Sequence, residues 1–219
     1  GLVGSEMCIR DRITINGKRA ETGMQVEPGD VVVVKGKTVV PEEKKVYLAF
    51  NKPRGIVCTA EKREKNNVID YLSYPVRIYP VGRLDKDSEG LLLMTNDGAI
   101  VNGIMRARNR HEKEYQVEVN KEITPEFLKK MASGVPILDT VTRPCRIRKT
   151  GERSFTIILT QGLNRQIRRM CEALGYRVTK LKRVRIMNIH LKDLKTGEYR
   201  PLTEKELAEL KKQIGEEKR

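Results

Sequence analysis

The pattern of apolar and polar positions predicts short strands separated by helices. Runs rich in β-branched and apolar residues predict strands at 47–51, 91–95, 114–119, 145–148 and 155–160. Helices are predicted at 97–105, 124–134 and 161–176, and a capping box of Thr203 and Glu206 opens a terminal helix. Thr124 is the expected N-cap of its helix because Pro125 follows at the first helical position. Strand–helix–strand crossovers are too few for a doubly wound sheet, so we predict an α+β fold with a mixed, mainly antiparallel sheet.

Residues 13–40 are predicted to form short strands joined by turns at Asn16-Gly17 and Pro28-Gly29. With Ile15-Asn16-Gly17 and Val26–Val33, this segment resembles the C-terminal half of an S4 RNA-binding domain, without the helical half that precedes it there. Residues 1–12 show no helical or strand period, and we expect a non-native tail encoded by a sequencing adapter. The predicted organisation is a tail at 1–12, a partial S4 domain at 13–41 and a main domain at 42–219.

Charge then narrows the class of partner. The chain has 44 lysines and arginines against 29 acidic residues, a formal charge of +15, which favours a polyanion. We expect nucleic acid rather than a membrane, because no basic amphipathic helix has an aromatic apolar face and no apolar run approaches the roughly 18–20 residues that span a bilayer. The four cysteines are scattered and only two histidines accompany them, which predicts no metal site, no disulfide framework and a cytoplasmic location. We also expect no cofactor and a monomer.

The stretch from Pro80 to Gly98 is the first candidate for chemistry, because it places acids in a tight loop before the most apolar run. If the chain is extended near Arg83, its side chain and that of Asp85 lie on one face, and Leu84 points into the core. Asp87, Ser88 and Glu89 are predicted to be solvated turn residues, and Asp97 to cap the following helix. Spacing alone leaves a structural turn and a catalytic loop equally open.

Two basic stretches follow. In the predicted helix 161–176, Ile167, Met170, Cys171 and Leu174 form an apolar stripe, and three arginines share the opposite face. These arginines could simply form a solvent-exposed helix face without a binding function. The basic residues that follow, between 177 and 185, favour contacts with phosphate groups instead. The third stretch, 106–119, leads from several arginines into a strand with Tyr115, either a core tyrosine or a base-stacking surface. The predicted RNA contacts are Arg83, Arg106, Arg108, Arg165, Arg169, Lys180, Lys182 and Arg183.

Together these stretches resemble the RsuA branch of the pseudouridine synthases, which modify ribosomal RNA. The resemblance rests on the segments 82–85, 90–93, 95–98, 50–59, 113–115 and 161–170. It implies a bent mixed sheet with packed helices and a central cleft. It further implies that Asp85 is the catalytic carboxylate, that Tyr115 packs against the target base and that Arg168 pairs with Asp85. Arg83 matches the arginine that holds the flipped nucleotide.

The implied activity is the conversion of uridine to pseudouridine in ribosomal RNA, 23S rather than 16S, without a cofactor and in a bacterium. Whether Asp85 attacks C1′, attacks C6 or acts as a base stays open. One alternative is a catalytically silent RNA-binding protein. The other is a retaining glycosidase that pairs Asp85 with Asp87 or Asp97, disfavoured because the chain has no tryptophan for a sugar platform.

Overall fold

A computed structural model describes residues 13–21, 23–27, 29–39, 44–106 and 110–215 of the chain. Two compact units divide between Lys44 and Lys45. The expected tail at 1–12 and the expected junction between residues 41 and 42 lie outside the described residues.

The N-terminal unit is a small antiparallel sheet. Its strands are β1 (Ile13–Ile15), β2 (Lys18–Arg19), β3 (Val32–Val34) and β4 (Lys37–Val39), in the order β2-β1-β3-β4. Asn16 and Gly17 both have positive φ, as the tight turn between β1 and β2 requires. The Asn16 side chain also donates to Asp30 at 2.7 Å. The short strands and the turn at Asn16-Gly17 are confirmed, and the assignment to an S4 domain stays a prediction.

The second unit contains the remaining described helices and strands. Its helices are α1 (Val68–Leu72), α2 (Gly98–Met105), α3 (Pro125–Ser133), α4 (Gln166–Ala173) and α5 (Glu204–Ile214). Its strands are β5 (Tyr47–Lys52), β6 (Tyr79–Pro80), β7 (Glu89–Thr95), β8 (Lys113–Val119), β9 (Pro136–Ile137), β10 (Thr140–Val141), β11 (Arg146–Gly151), β12 (Ser154–Leu159), β13 (Val178–Ile186), β14 (Ile189–His190) and β15 (Tyr199–Pro201).

The described strands of this unit build a nine-stranded mixed sheet and a separate β9–β10 hairpin. The main path of the sheet is β11-β12-β8-β13-β7-β5-β15, with β14 paired to β13 and β6 to β7. Strands β13 and β7 run parallel, with Lys182 beside Glu89 and Arg183 beside Gly90, and the other pairs are antiparallel. The predicted mixed, mainly antiparallel sheet is confirmed.

The central residues of β7, Leu91 to Met94, are all apolar, and helices cover both faces of the strand. Leu91 and Leu93 pack with α2 and α5, while Leu92 and Met94 pack with α1. Full burial of each such side chain stabilises the fold by about 1.5–3 kcal/mol. A further apolar cluster joins α3 and α4 to β8, β12 and β13. The loop that precedes β7 is therefore held by a rigid central strand.

The helix ends follow local signals, with one exception. The Asp97, Thr124 and Thr203 side chains each accept a backbone hydrogen bond at their helix N-termini, as predicted. The helix predicted from Gln161 is wrong at its start, because α4 begins at Gln166. Residue 165 has a left-handed backbone, and the Gln166 side chain accepts from the Leu163 backbone at 3.0 Å, which ties the preceding residues into a loop.

The ion pair between Arg200 and Glu206, in the first turn of α5, predicts that the stability of the protein depends on pH. Arg200 donates to both carboxylate oxygens of Glu206, at 2.8 and 2.9 Å, and these bonds lower the pKa of Glu206 from 4.5 to about 2. The stabilisation is complete above pH 4.5 and is lost as the pH falls towards 2, and it amounts to at most about 3 kcal/mol. Urea unfolding should therefore show a larger loss of stability between pH 7 and pH 3 in the wild type than in Glu206→Gln. Equal losses would contradict the assignment, and Glu204→Gln in the same turn is the control.

Candidate active site

A cleft of about 370 Å³ brings the three candidate stretches together. Its lining comes from the loop at 81–85, from Lys113 and Tyr115 on β8, from the loop at 161–165 with the first two residues of α4, and from Leu181 and Arg183 on β13. These segments are distant in sequence and meet because β8, β13 and β7 are neighbours in the sheet.

Asp85 lines this cleft with its carboxylate one-third exposed. The preceding Leu84 is buried against the α1 cluster, and its backbone N–H lies 3.4 Å from the Cys58 sulfur. The Asp85 carbonyl accepts from the Ser88 backbone at 3.0 Å, which closes the turn. The prediction that Leu84 anchors the loop in the core is confirmed, and it leaves the Asp85 side chain in the cleft.

Arg165, rather than Arg168, forms the ion pair with Asp85. The Arg165 Nη1 lies 3.7 Å from the Asp85 Oδ2. The sequence interpretation assumed a helix running through both arginines, whereas Arg165 is the N-cap with φ of 48° and so leaves the helical face. The expected pairing of Arg168 with Asp85 is corrected accordingly.

Arg168 instead fixes the backbone of the acidic loop. Its Nη2 donates to the Asp87 carbonyl and to the Ser88 hydroxyl, both at 3.1 Å. Ser88 is fully buried and Glu89 begins β7, so the prediction of solvated turn residues is wrong for both, whereas Asp87 is exposed as expected. Burial, and then the Arg165 charge, lower the pKa of the Arg168 guanidinium, while Asp85 and Asp87 oppose that effect.

A second support for the loop was not found from the sequence. Lys52 at the end of β5 is fully buried, and its ammonium donates to the carbonyls of Pro53 and Ile56 at 2.8 and 2.7 Å. Burial lowers the pKa of Lys52. The loop that it shapes contacts the acidic loop, because the Gly55 backbone donates to the Lys86 carbonyl at 2.7 Å. A lysine directly after an apolar strand was the available signal.

Arg183, one of the predicted RNA contacts, is a buried residue of the cleft. It is only 3% exposed, lines the cleft, and donates from Nε to the Leu91 carbonyl at 2.7 Å and from Nη1 to the Arg83 carbonyl at 3.5 Å. Its Nη2 is buried and has no hydrogen-bond partner among the described residues. An unpaired buried donor is costly, so this atom is available to a polar atom placed in the cleft.

Tyr115 and Lys113 project from β8 to the same side of the sheet. Tyr115 is partly buried, lines the cleft and packs against two apolar clusters, one with α1 and one with α3 and α4. Lys113 is also partly buried, and burial, together with the charge of Arg183, lowers its pKa. The sequence interpretation assigned no role to Lys113.

The remaining predicted RNA contacts fall into separate groups. Arg83 is exposed and lines the cleft, and Arg106 lies just past the end of α2. Arg169 binds the main-chain and side-chain oxygens of Asn164. Side chains alternate along β13, so Lys180 and Lys182 lie on the face of the sheet opposite Arg183. Arg108 lies outside the described residues.

Asp85 is the single acidic residue among the described residues that line the cleft. Asp97 caps α2 and accepts from the Tyr47 hydroxyl at 2.6 Å, and Asp87 is not in the lining. A glycosidase would need a second carboxylate in the same cleft. Within the described ranges, no helix is long and apolar enough to span a membrane, and no three histidine, cysteine or acidic side chains cluster as metal ligands.

Comparisons with known proteins agree with this arrangement. The sequence model of the RNA pseudouridylate synthase family matches residues 46–173. The dual-specificity RNA pseudouridine synthase RluF of Escherichia coli K12 is 53% identical over 204 residues, 92% of this chain and 70% of that protein. The ribosomal large subunit pseudouridine synthase B of Bacillus subtilis is 35% identical, over 94% of this chain and 88% of that one.

A crystal structure of a pseudouridylate synthase superposes with a TM-score of 0.72 at 28% identity, covering 91% of this chain and 89% of that one. The resemblance found in segments 82–98 and 161–170 is thereby confirmed for the family and for the fold. The chain belongs to the RNA pseudouridylate synthase family, the enzymes that isomerise uridine to pseudouridine in RNA.

Proposed function

We propose that this enzyme isomerises a specific uridine of large-subunit ribosomal RNA, 23S rather than 16S, with Asp85 as the reacting carboxylate. The observation that carries the proposal is the placement of one carboxylate, paired with Arg165, in a cleft walled by Tyr115. The name of the Bacillus subtilis relative, a ribosomal large subunit synthase, supports the choice of substrate.

The reaction breaks the N1–C1′ bond of uridine, turns the uracil and forms a C5–C1′ bond. The C5 proton is released and N1 gains one, so atoms balance without an electron donor or acceptor. A carboxylate near the sugar serves as nucleophile, as base or as a stabiliser of positive charge, and each role requires the ionised form. The Arg165 guanidinium lies 3.7 Å from the carboxylate, which leaves room for this ion pair to tighten when RNA binds.

The target base must leave the RNA stack to reach Asp85. Unstacking costs a few kcal/mol, and stacking on Tyr115 together with insertion of the exposed Arg83 would offset it. We expect the unpaired Nη2 of Arg183 to donate to a carbonyl oxygen of the flipped uracil, which would satisfy that buried donor.

We also propose that the enzyme acts as a monomer. The relatives named above are bacterial, and we expect this enzyme to meet ribosomal RNA in the bacterial cytoplasm.

Tritium release from C5 tests the function. The protein is incubated with 23S and 16S transcripts that contain uridine tritiated at C5, and the released tritium and the position of the new pseudouridine are measured. We expect release from a 23S segment at one mapped uridine. Release from 16S alone would refute the choice of RNA. Binding of 23S without release from any transcript would favour the silent RNA-binding alternative.

The two arginines near the acidic loop should respond differently to replacement. Arg165→Met removes the partner of the Asp85 carboxylate, and we expect kcat to fall about 10²-fold with little change in melting temperature. Arg168→Met removes two hydrogen bonds that hold the loop, so melting temperature and kcat should fall together. Tritium release under multiple-turnover conditions and thermal melts measure both effects. A loss of kcat only in Arg168→Met, at unchanged stability, would show that Arg168 takes over the pairing when RNA binds.

A further inference from the structure

A second cavity, of about 260 Å³, adjoins the catalytic cleft, and we name it the side pocket. The two share a wall that includes Met105, Lys113 and Gly162. The side pocket continues past this wall to Arg106, His111 and Arg143. The side pocket therefore lies directly beside the cleft that would receive a uridine.

The side pocket has a strong excess of positive charge. Arg106, Lys113 and Arg143 line it, and no aspartate or glutamate occurs among its described lining residues. The nearest acids along the chain, Glu112 and Glu114, are bound to Arg185 at 3.0 and 2.9 Å. The cations of the side pocket therefore keep an uncompensated field, which favours an anionic ligand.

Arg143 is held in place before any ligand binds. Arg143 is partly buried, donates from Nη1 to the Thr160 carbonyl at 3.3 Å, and its backbone N–H donates to the Gln161 side chain at 3.1 Å. Burial lowers the pKa of Lys113, and an anion beside it would reverse this effect. Burial also lowers the pKa of His111, whose ring lies 3.2 Å from the Gly103 carbonyl.

We propose that the side pocket binds the backbone phosphate of a nucleotide next to the flipped uridine. The inference rests on the proposed function, since it takes RNA as the substrate. A phosphate fits the three cations and the polar Thr160 and Gln161 better than a base does, because His111 offers the single aromatic ring among the described lining residues. Lys113, which lines both cavities, couples phosphate binding to entry of the base.

Neutral phosphate analogues test the proposal. The tightest-binding 23S fragment is footprinted with nuclease, and hairpins of the protected segment carry one methylphosphonate at a time. We expect Arg143→Met to raise the Kd of the unmodified hairpin about tenfold and to reduce the salt slope of log Kd by about 0.7. At one position of the hairpin, the methylphosphonate should raise the Kd of the wild-type protein by a similar factor of about ten. The same methylphosphonate should not raise the Kd of Arg143→Met any further, because the contact is already lost.

The controls separate the other outcomes. Arg148→Met, on the sheet face turned away from the cleft, should leave the methylphosphonate effects as in the wild type. If Arg143→Met proves unstable, Arg106→Met replaces it in the test, because Arg106 is exposed, and it should give the result expected for Arg143→Met. The proposal would be overturned if, at every position, the methylphosphonate and Arg143→Met weakened binding additively. It would also be overturned if an abasic nucleotide, and no methylphosphonate, removed the effect of Arg143→Met, because Arg143 would then contact a base. All of these experiments measure binding. If the protein released no tritium, the isomerase function would be refuted, but the proposal of a phosphate site in the side pocket would still be decided by the binding data.

Discussion

Replacing Asp85 with asparagine is expected to abolish tritium release from 23S RNA while RNA binding persists. Asparagine keeps the size of the side chain and one acceptor oxygen but removes the negative charge, and Asp85 is the single acid among the described residues of the cleft. A decrease in kcat of roughly 10⁴-fold or more is the scale found when an enzyme loses a reacting group. Tritium release under multiple-turnover conditions measures kcat, and filter binding of the same transcript measures affinity.

Asp87→Asn is the matched control for this prediction. Asp87 lies two residues away and is exposed, and its contact with Arg168 comes from the backbone carbonyl rather than from the carboxylate. We expect its kcat to stay within about threefold of the wild type, as for a surface substitution. Substantial release by Asp85→Asn, or an equal loss in both variants, would show that another group carries the reaction.

Gly90→Ala is expected to destabilise the protein by about 3 kcal/mol or more and to disrupt the cleft. Gly90 has φ of +109°, and a Cβ there would lie 2.2 Å from the Arg183 carbonyl oxygen. The added Cβ would clash with the backbone of β13, where β13 pairs in parallel with β7. A change of side-chain rotamer cannot remove this clash, because the contacting atoms belong to the main chain. Thermal and urea unfolding measure the loss, and a displaced Arg183 should lower kcat even where the protein remains folded.

Gly98→Ala is the control for glycine replacement in the same region. Gly98 begins α2 with nothing within 4 Å of an added Cβ. Alanine restricts the unfolded chain and favours a helix, so stability should be unchanged or rise by up to about 1 kcal/mol. A Gly90→Ala variant as stable as Gly98→Ala would contradict the tight approach of β7 and β13.

Much of the fold was predictable because its signals are local. The N-caps Asp97, Thr124 and Thr203 act within a few residues, and the apolar run of β7 marks a strand buried on both faces whatever covers it. The sequence likewise singled out Asp85, through its motif and through the buried Leu84 that anchors it. Such features survive in any tertiary arrangement that buries the same residues.

The partners of the acidic loop were not predictable in the same way. Arg168 reaches Ser88 across 80 residues of sequence, and Arg165 reaches Asp85 because one left-handed residue starts α4 late. The sequence shows how many charged residues a segment has but not which face of the sheet each side chain lies on. Several basic residues of β13 therefore received the same prediction of an RNA contact. Strand alternation and the pairing with β7 bury Arg183 and leave Lys182 on the opposite face.

The sequence by itself determined the family, the capped N-termini of α2, α3 and α5, the mixed sheet and the identity of the catalytic carboxylate as a candidate, because each depends on residue types at short spacing. Only the tertiary structure decided which arginine pairs with Asp85, which cations enter the cleft and which acids stay outside it. Those outcomes depend on the register of strands β7, β8 and β13, and register is set by packing between segments far apart in the chain.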